Sequence, residues 1–141
     1  MVNVFEIKGT DAPLRLLFST YAVRRFTKLM NCAPTVSGIF PLFDGETMLD
    51  AMVAMLQAGL ETSSAERKQA FTMTEYEVCS LLDGLTEEEG QQITYAFMGS
   101  VLGRPASEMP DFLLEIRKKT AELTAGPQPE DAGNPEPLPA S

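Results

Sequence analysis

The sequence predicts an α+β protein, mainly α-helical, in which an N-terminal β-hairpin packs on about five helices and a disordered C-terminal tail follows. Three observations carry this. Residues 2–18 alternate apolar and polar side chains around a cluster of turn formers; from Thr20 the apolar spacing lengthens to three and four; from Gly126 prolines and acids take over. The expected division is a helical domain over 1–125, bearing the hairpin, and a Pro-rich acidic tail over 126–141.

In the first strand Phe5 and Ile7 face one way and Glu6 and Lys8 the other, and Gly9 to Pro13 is dense in turn formers. Leu14, Leu16 and Phe18 then alternate with Arg15, Leu17 and Ser19. A two-stranded hairpin is not stable alone, so its apolar face must lie on the helices. The first helix runs from Thr20, with Val23, Phe26 and Met30 on one stripe, Ser19 or Thr20 as its cap and Asn31 at its end. Residues 32–46 hold two prolines and two glycines among Ile39, Phe40, Leu42 and Phe43, and read as an apolar loop.

Thr47 to Leu60 is the central helix. Met48, Leu49, Met52, Val53, Met55, Leu56 and Leu60 give it an apolar face too wide for a surface helix. It falls short of the ~20 apolar residues that a bilayer requires, and Asp50 interrupts it, so a membrane span is excluded. Glu61 to Gln69 is polar and reads as a surface connection with at most a turn of helix. Thr74 with Glu77, and Thr86 with Glu89, have the capping-box spacing that lets each side chain satisfy the other's orphan amide; they place helix starts near residues 75 and 87. Leu81, Leu82 and Leu85 close the first of these helices, with Gly84 as a left-handed cap. The second carries Ile93, Ala96, Phe97, Ser100 and Val101 on one stripe and ends at Gly103-Arg104-Pro105. Pro110 suits a first helical turn, and Phe112, Leu113, Ile116 and Leu123 make a last amphipathic helix to about Ala125. The final stretch has too little apolar surface to offset the entropy of ordering.

Composition removes several functions. The 141 residues contain no histidine, which excludes Ser-His-Asp chemistry and most zinc sites. No phosphate-binding glycine pattern occurs, and Glu87, Glu88 and Glu89 sit where carboxylates stabilise a helix N-terminus. Neither an enzyme nor a cofactor is expected. Eleven Lys and Arg against 20 Asp and Glu give a net charge of −9, which repels nucleic-acid phosphates. The basic residues form only two small clusters, Arg24-Arg25-Lys28 and Arg117-Lys118-Lys119. Cys32 and Cys79 lie in apolar surroundings without CxxC spacing, as expected of buried thiols in a reducing cytoplasm.

What remains is apolar surface beyond what a small core needs. Its candidates are the loop residues Ile39, Phe40, Leu42 and Phe43, the methionines Met48, Met52 and Met55, and the stripe of Phe112, Ile116 and Leu123. Such surface on an acidic, cofactor-free chain suits a binder of amphipathic segments or a protein that assembles with copies of itself.

The order of elements resembles the tail assembly chaperones of long-tailed bacteriophages. A strand pair runs into LRLLFSTYAVRRFTKLMN with Phe18, Tyr21, Ala22, Arg25 and Phe26; a central helix ends in Leu56 to Leu60; a capped segment with LLD follows from Thr74 to Gly84. The resemblance covers roughly residues 5–103 and is a pattern of residue types. The proline-bearing loop at 33–46 and the acidic tail depart from it. It implies a chaperone of the host cytoplasm, absent from the finished virion, that coats the helical tape-measure protein until tail-tube subunits replace it. Such chaperones often have a longer form made by ribosomal frameshifting, so the partners implied are the tape-measure protein, an extended form of the chain and further copies of it. Two other classes fit the composition: a small tail or connector protein of the virion, and an acidic host-directed regulator that masks a basic surface.

Overall fold

The structure, a computed structural model, describes residues 2–8 and 13–122 in full and the backbone of 123 and 124. The expected turn at 9–12 and the tail at 126–141 lie outside the described residues. Strands β1 (Asn3–Ile7) and β2 (Leu14–Phe18) pair antiparallel, with Asn3 opposite Phe18 and Ile7 opposite Leu14. Ile7, Leu16 and Phe18 are in the core, as the alternation predicts, but Leu17, expected on the opposite face, is buried as well, while Phe5 and Leu14 are half-buried. Among the described residues six α-helices follow: α1 (Thr20–Met30), the single turn α2 (Val36–Ile39), α3 (Met48–Glu66), α4 (Glu75–Gly84), α5 (Glu87–Leu102) and α6 (Met109–Thr124).

Most termini form as their residues dictate. Asn31 ends α1 in the left-handed region, and Gly103 does the same for α5. Both Thr-x-x-Glu boxes are closed: the Thr74 hydroxyl accepts from the Glu77 amide while Glu77 Oε1 accepts from the Thr74 amide at 2.8 Å, and Thr86 with Glu89 repeats the pattern. Four expectations are corrected. Ser19 is the N-cap residue of α1, but its side chain makes no capping bond. The 32–46 stretch is not a plain loop: Thr35 caps α2, and 3₁₀ turns occupy Phe40–Phe43 and Gly45–Thr47. Gly84 is the last helical residue of α4 and not a left-handed cap; the chain leaves it through an extended Leu85. Finally, α3 runs on to Glu66, because its polar end is tied into the fold. Thr62 is buried and its hydroxyl donates to the Ala58 carbonyl at 2.7 Å, while Glu61 accepts from Arg25 at 2.8 Å and from Gln57 at 2.6 Å.

The face that α3 buries also differs from the one expected. Ala51, Ala54, Met55, Leu56, Ala58, Gly59 and Leu60 are inside, whereas Met48 and Leu49 are exposed. Small residues on the inner face let the helix lie close against β2. A Cβ at Gly59 would stand 2.8 Å from Cε1 of Phe18, so only glycine fits there. Aromatic rings join the elements around this contact: Phe97 on α5 packs edge-on to Phe18 at 5.6 Å and against Phe26 at 4.7 Å, and Phe43 stacks on Phe26 at 5.6 Å. A polar lock closes the hairpin onto α5. Asn3, nearly buried, donates from Nδ2 to the carbonyls of Ala96 and Arg104, and its Oδ1 accepts from the Ala106 amide. Contacts divide the chain after Met109, one helix before the composition boundary at 125; Pro110 opens the second unit.

Candidate functional site

An apolar groove of about 380 Å³ opens on the first unit. Its walls come from the 3₁₀ turn and first helical turn before and within α3, the end of α4, and the first half of α5. Phe43, Met48, Met52, Leu82 and Leu85 supply the apolar lining, and Thr86, Glu87, Gly90, Gln91 and Thr94 complete it. Local sequence explains the shape. The Thr86 box starts α5 directly after Leu85, which turns that leucine beside the new helix. Gly90 lacks a side chain, and a Cβ there would lie 3.9 Å from the Met52 methyl, so the groove floor stays open. The Thr94 hydroxyl donates to the Gly90 carbonyl at 2.8 Å and lies 3.8 Å from the Met52 sulfur. Met48 is half exposed, and two unbranched thioethers at one groove can re-pack around different apolar occupants.

The chain segments that form the groove carry charge of one sign. The segments 43–52 and 82–94 hold Asp44, Glu46, Asp50, Asp83, Glu87, Glu88 and Glu89 and no Lys or Arg. No cation occurs between Lys28 and Arg67, nor between Lys68 and Arg104. Of these acids Glu87 lines the groove itself, while Glu89 shares a separate depression with Lys8; an apolar floor with a carboxylate on its wall favours an apolar segment flanked by positive charge.

The predicted partner residues do not stay together. Met48 and Met52 line the groove, and Phe43 does so while its ring also packs on Phe26 and Phe97. Phe40 and Leu42 are half-buried against the core. Ile39 and Met55 are fully buried and cannot meet a partner; their apolar character closes the core. On α6, Phe112 is half-buried and Ile116 exposed, while the side chain of Leu123 lies outside the described residues. Leu82, Leu85 and Gln91 belong to the groove and were not among the predicted residues. The leucines at the end of α4 were visible as an apolar cluster, but nothing local in sequence sets them opposite Met48.

A second depression, about 460 Å³, lies along α1 and is lined by Thr20, Tyr21, Arg24, Arg25, Lys28 and Glu61. The Arg25–Glu61 pair neutralises half of its guanidinium charge, leaving a mixed polar surface. The thiols offer little chemistry: both are free and half-buried, not fully buried as expected, and burial pushes the Cys32 thiol up, away from thiolate. Among the described residues no group of three or more potential metal ligands gathers, and no helix is long and apolar enough to cross a membrane. The chain matches no family model, no curated protein and no solved structure.

Proposed function

We propose that this chain is a tail assembly chaperone of a long-tailed bacteriophage, which covers apolar helical stretches of the tape-measure protein in the host cytoplasm and does not remain in the virion. The observation that supports it is the groove of Phe43, Met48, Met52, Leu82 and Leu85, a methionine-bearing apolar cleft with Glu87 on its wall. An amphipathic helix laid into such a cleft removes its apolar face from water, at about 25 cal/mol per Å² buried. The net charge of −9 keeps the complexes apart in solution, as a coating protein requires. The order of elements supports the same reading: strand pair, helix with Tyr21, Ala22 and Phe26, long helix, and capped LLD segment.

Co-expression with the tape-measure protein of the same phage tests this. The wild-type chain should raise the client's soluble yield, and Met48→Glu should abolish the gain, because a carboxylate on the groove wall repels an apolar face. Met48 is half exposed, so the variant folds. A client no more soluble with the folded wild-type chain than without it sinks the proposal.

A further inference from the structure

The chain itself carries a segment of the kind its groove favours. Helix α6 holds Phe112, Leu113, Leu114 and Ile116 in its first turns, followed at once by Arg117, Lys118 and Lys119, the densest run of positive charge in the sequence. Leu114 and Ile116 are 51% and 42% exposed, and the three cations are exposed without an ion pair among the described residues. The acids of α6 flank the run: Glu115 and Glu122 stand three and four residues from Lys118 and Lys119, one helical turn away, yet form no ion pair with them among the described residues. Apolar side chains beside a run of positive charge thus match an apolar cleft lined by Glu87, whose contributing chain segments hold six further acids, Asp44, Glu46, Asp50, Asp83, Glu88 and Glu89, and no Lys or Arg.

We infer that α6 of one copy seats in the Met48–Met52 groove of a second copy, with Arg117, Lys118 and Lys119 against the carboxylates of the rim and leucine or isoleucine side chains on the methionines. The contact joins two different surfaces, so each copy has one groove to fill and one helix to give. Apolar burial supplies the affinity; the opposed charges fix which end of α6 lies over Glu87 and Glu88, and they make the contact sensitive to salt. Where the chain acts as a chaperone, the helix and the client compete for one groove, and that competition alone rests on the function proposed above.

Sedimentation of the full chain tests the contact. The weight-average mass should rise with concentration above the monomer's 15.4 kDa, and raising ionic strength should weaken the association several-fold. Met48→Glu should remove the rise, as should Arg117→Glu/Lys118→Glu/Lys119→Glu. Gln91→Trp, at an exposed position on the groove wall, fills the cleft without touching the core and should do the same. Mixing Met48→Glu with the triple variant is decisive: one still gives its helix and the other still has its groove, so the mixture alone should form a one-to-one pair. A wild-type chain that stays monomeric at every concentration overturns the inference, as does a single variant that assembles like wild type or a mixture that forms no pair. These outcomes are separate from client capture, which a monomer can still perform.

Discussion

Replacing Asn3 tests how the hairpin is held to the helical body. The side chain is 9% exposed and Nδ2 donates to the Ala96 carbonyl at 3.1 Å and the Arg104 carbonyl at 3.0 Å, with Ser100 Oγ at 3.2 Å. Its Oδ1 accepts from the Ala106 amide at 3.1 Å. In Asn3→Ala the Ala106 N–H loses this acceptor, at ~1–3 kcal/mol, and two donor bonds of ~0.5–1.5 kcal/mol each go with it. Urea unfolding should therefore report a loss of about 2–6 kcal/mol at unchanged m. Val4→Ala, one residue on and exposed, should stay within ~0.5 kcal/mol and serves as the control. Asn3→Asp sharpens the test, because a carboxylate presents acceptors to two carbonyls that want a donor. The folded state then favours the protonated acid, which raises its pKa above the unfolded value of about 3.9. Stability relative to wild type is best retained below that pH and is lost as pH rises through the folded pKa. A deficit under ~1 kcal/mol for Asn3→Ala, or an Asp deficit that stays flat between acid and neutral pH, would refute the lock.

Thr74→Ala and Thr86→Ala should each cost about 1 kcal/mol, read as a fall in melting temperature; no change in either would mean that the boxes contribute nothing. Gly59→Ala gains ~1 kcal/mol of helix propensity but drives a Cβ to 2.8 Å from Phe18, which should leave a net loss of ~1–2 kcal/mol; a stabilised variant would show that α3 can move off β2. Phe43→Ala removes a ring stacked on Phe26 and also a groove wall, so it should lose ~3–5 kcal/mol and client capture together. Full stability with capture lost would make Phe43 a partner contact alone.

The elements set by local rules were legible in sequence. Alternation places the hairpin, and the capping boxes and Asn31 place helix ends, because each depends on side chains within four residues of the backbone they satisfy. What was not legible depends on approach distance. The periodicity of large apolar residues puts Met48 and Leu49 on the inner face of α3, yet β2 comes so close at Gly59 that alanines and glycine share the inside with Met55, Leu56 and Leu60, while Met48 and Leu49 are exposed. The same effect divides the predicted site. Ile39 and Met55 have the right chemistry for a partner surface but fill the core, while Leu82 and Leu85 reach the groove from a helix some thirty positions further along the chain. The extension of α3 past Leu60 is held by Arg25 of α1, which pairs with Glu61 and carries no local signal of doing so.

The cation-free walls of the groove have a practical corollary for protein chemistry. Trypsin requires a positive side chain at the cleaved position, so the polypeptide from Leu29 to Arg67 offers it no internal bond. Beyond Lys68 the next such position, Arg104, precedes a proline, and digestion passes on to Arg117. Both walls of the cleft thus leave a tryptic digest on two long acidic peptides that short-peptide mapping overlooks. A protease that cuts after glutamate does the reverse: Glu87 lines the groove, and an occupant seated there would shield it, so footprinting of this surface belongs to glutamate-directed cleavage.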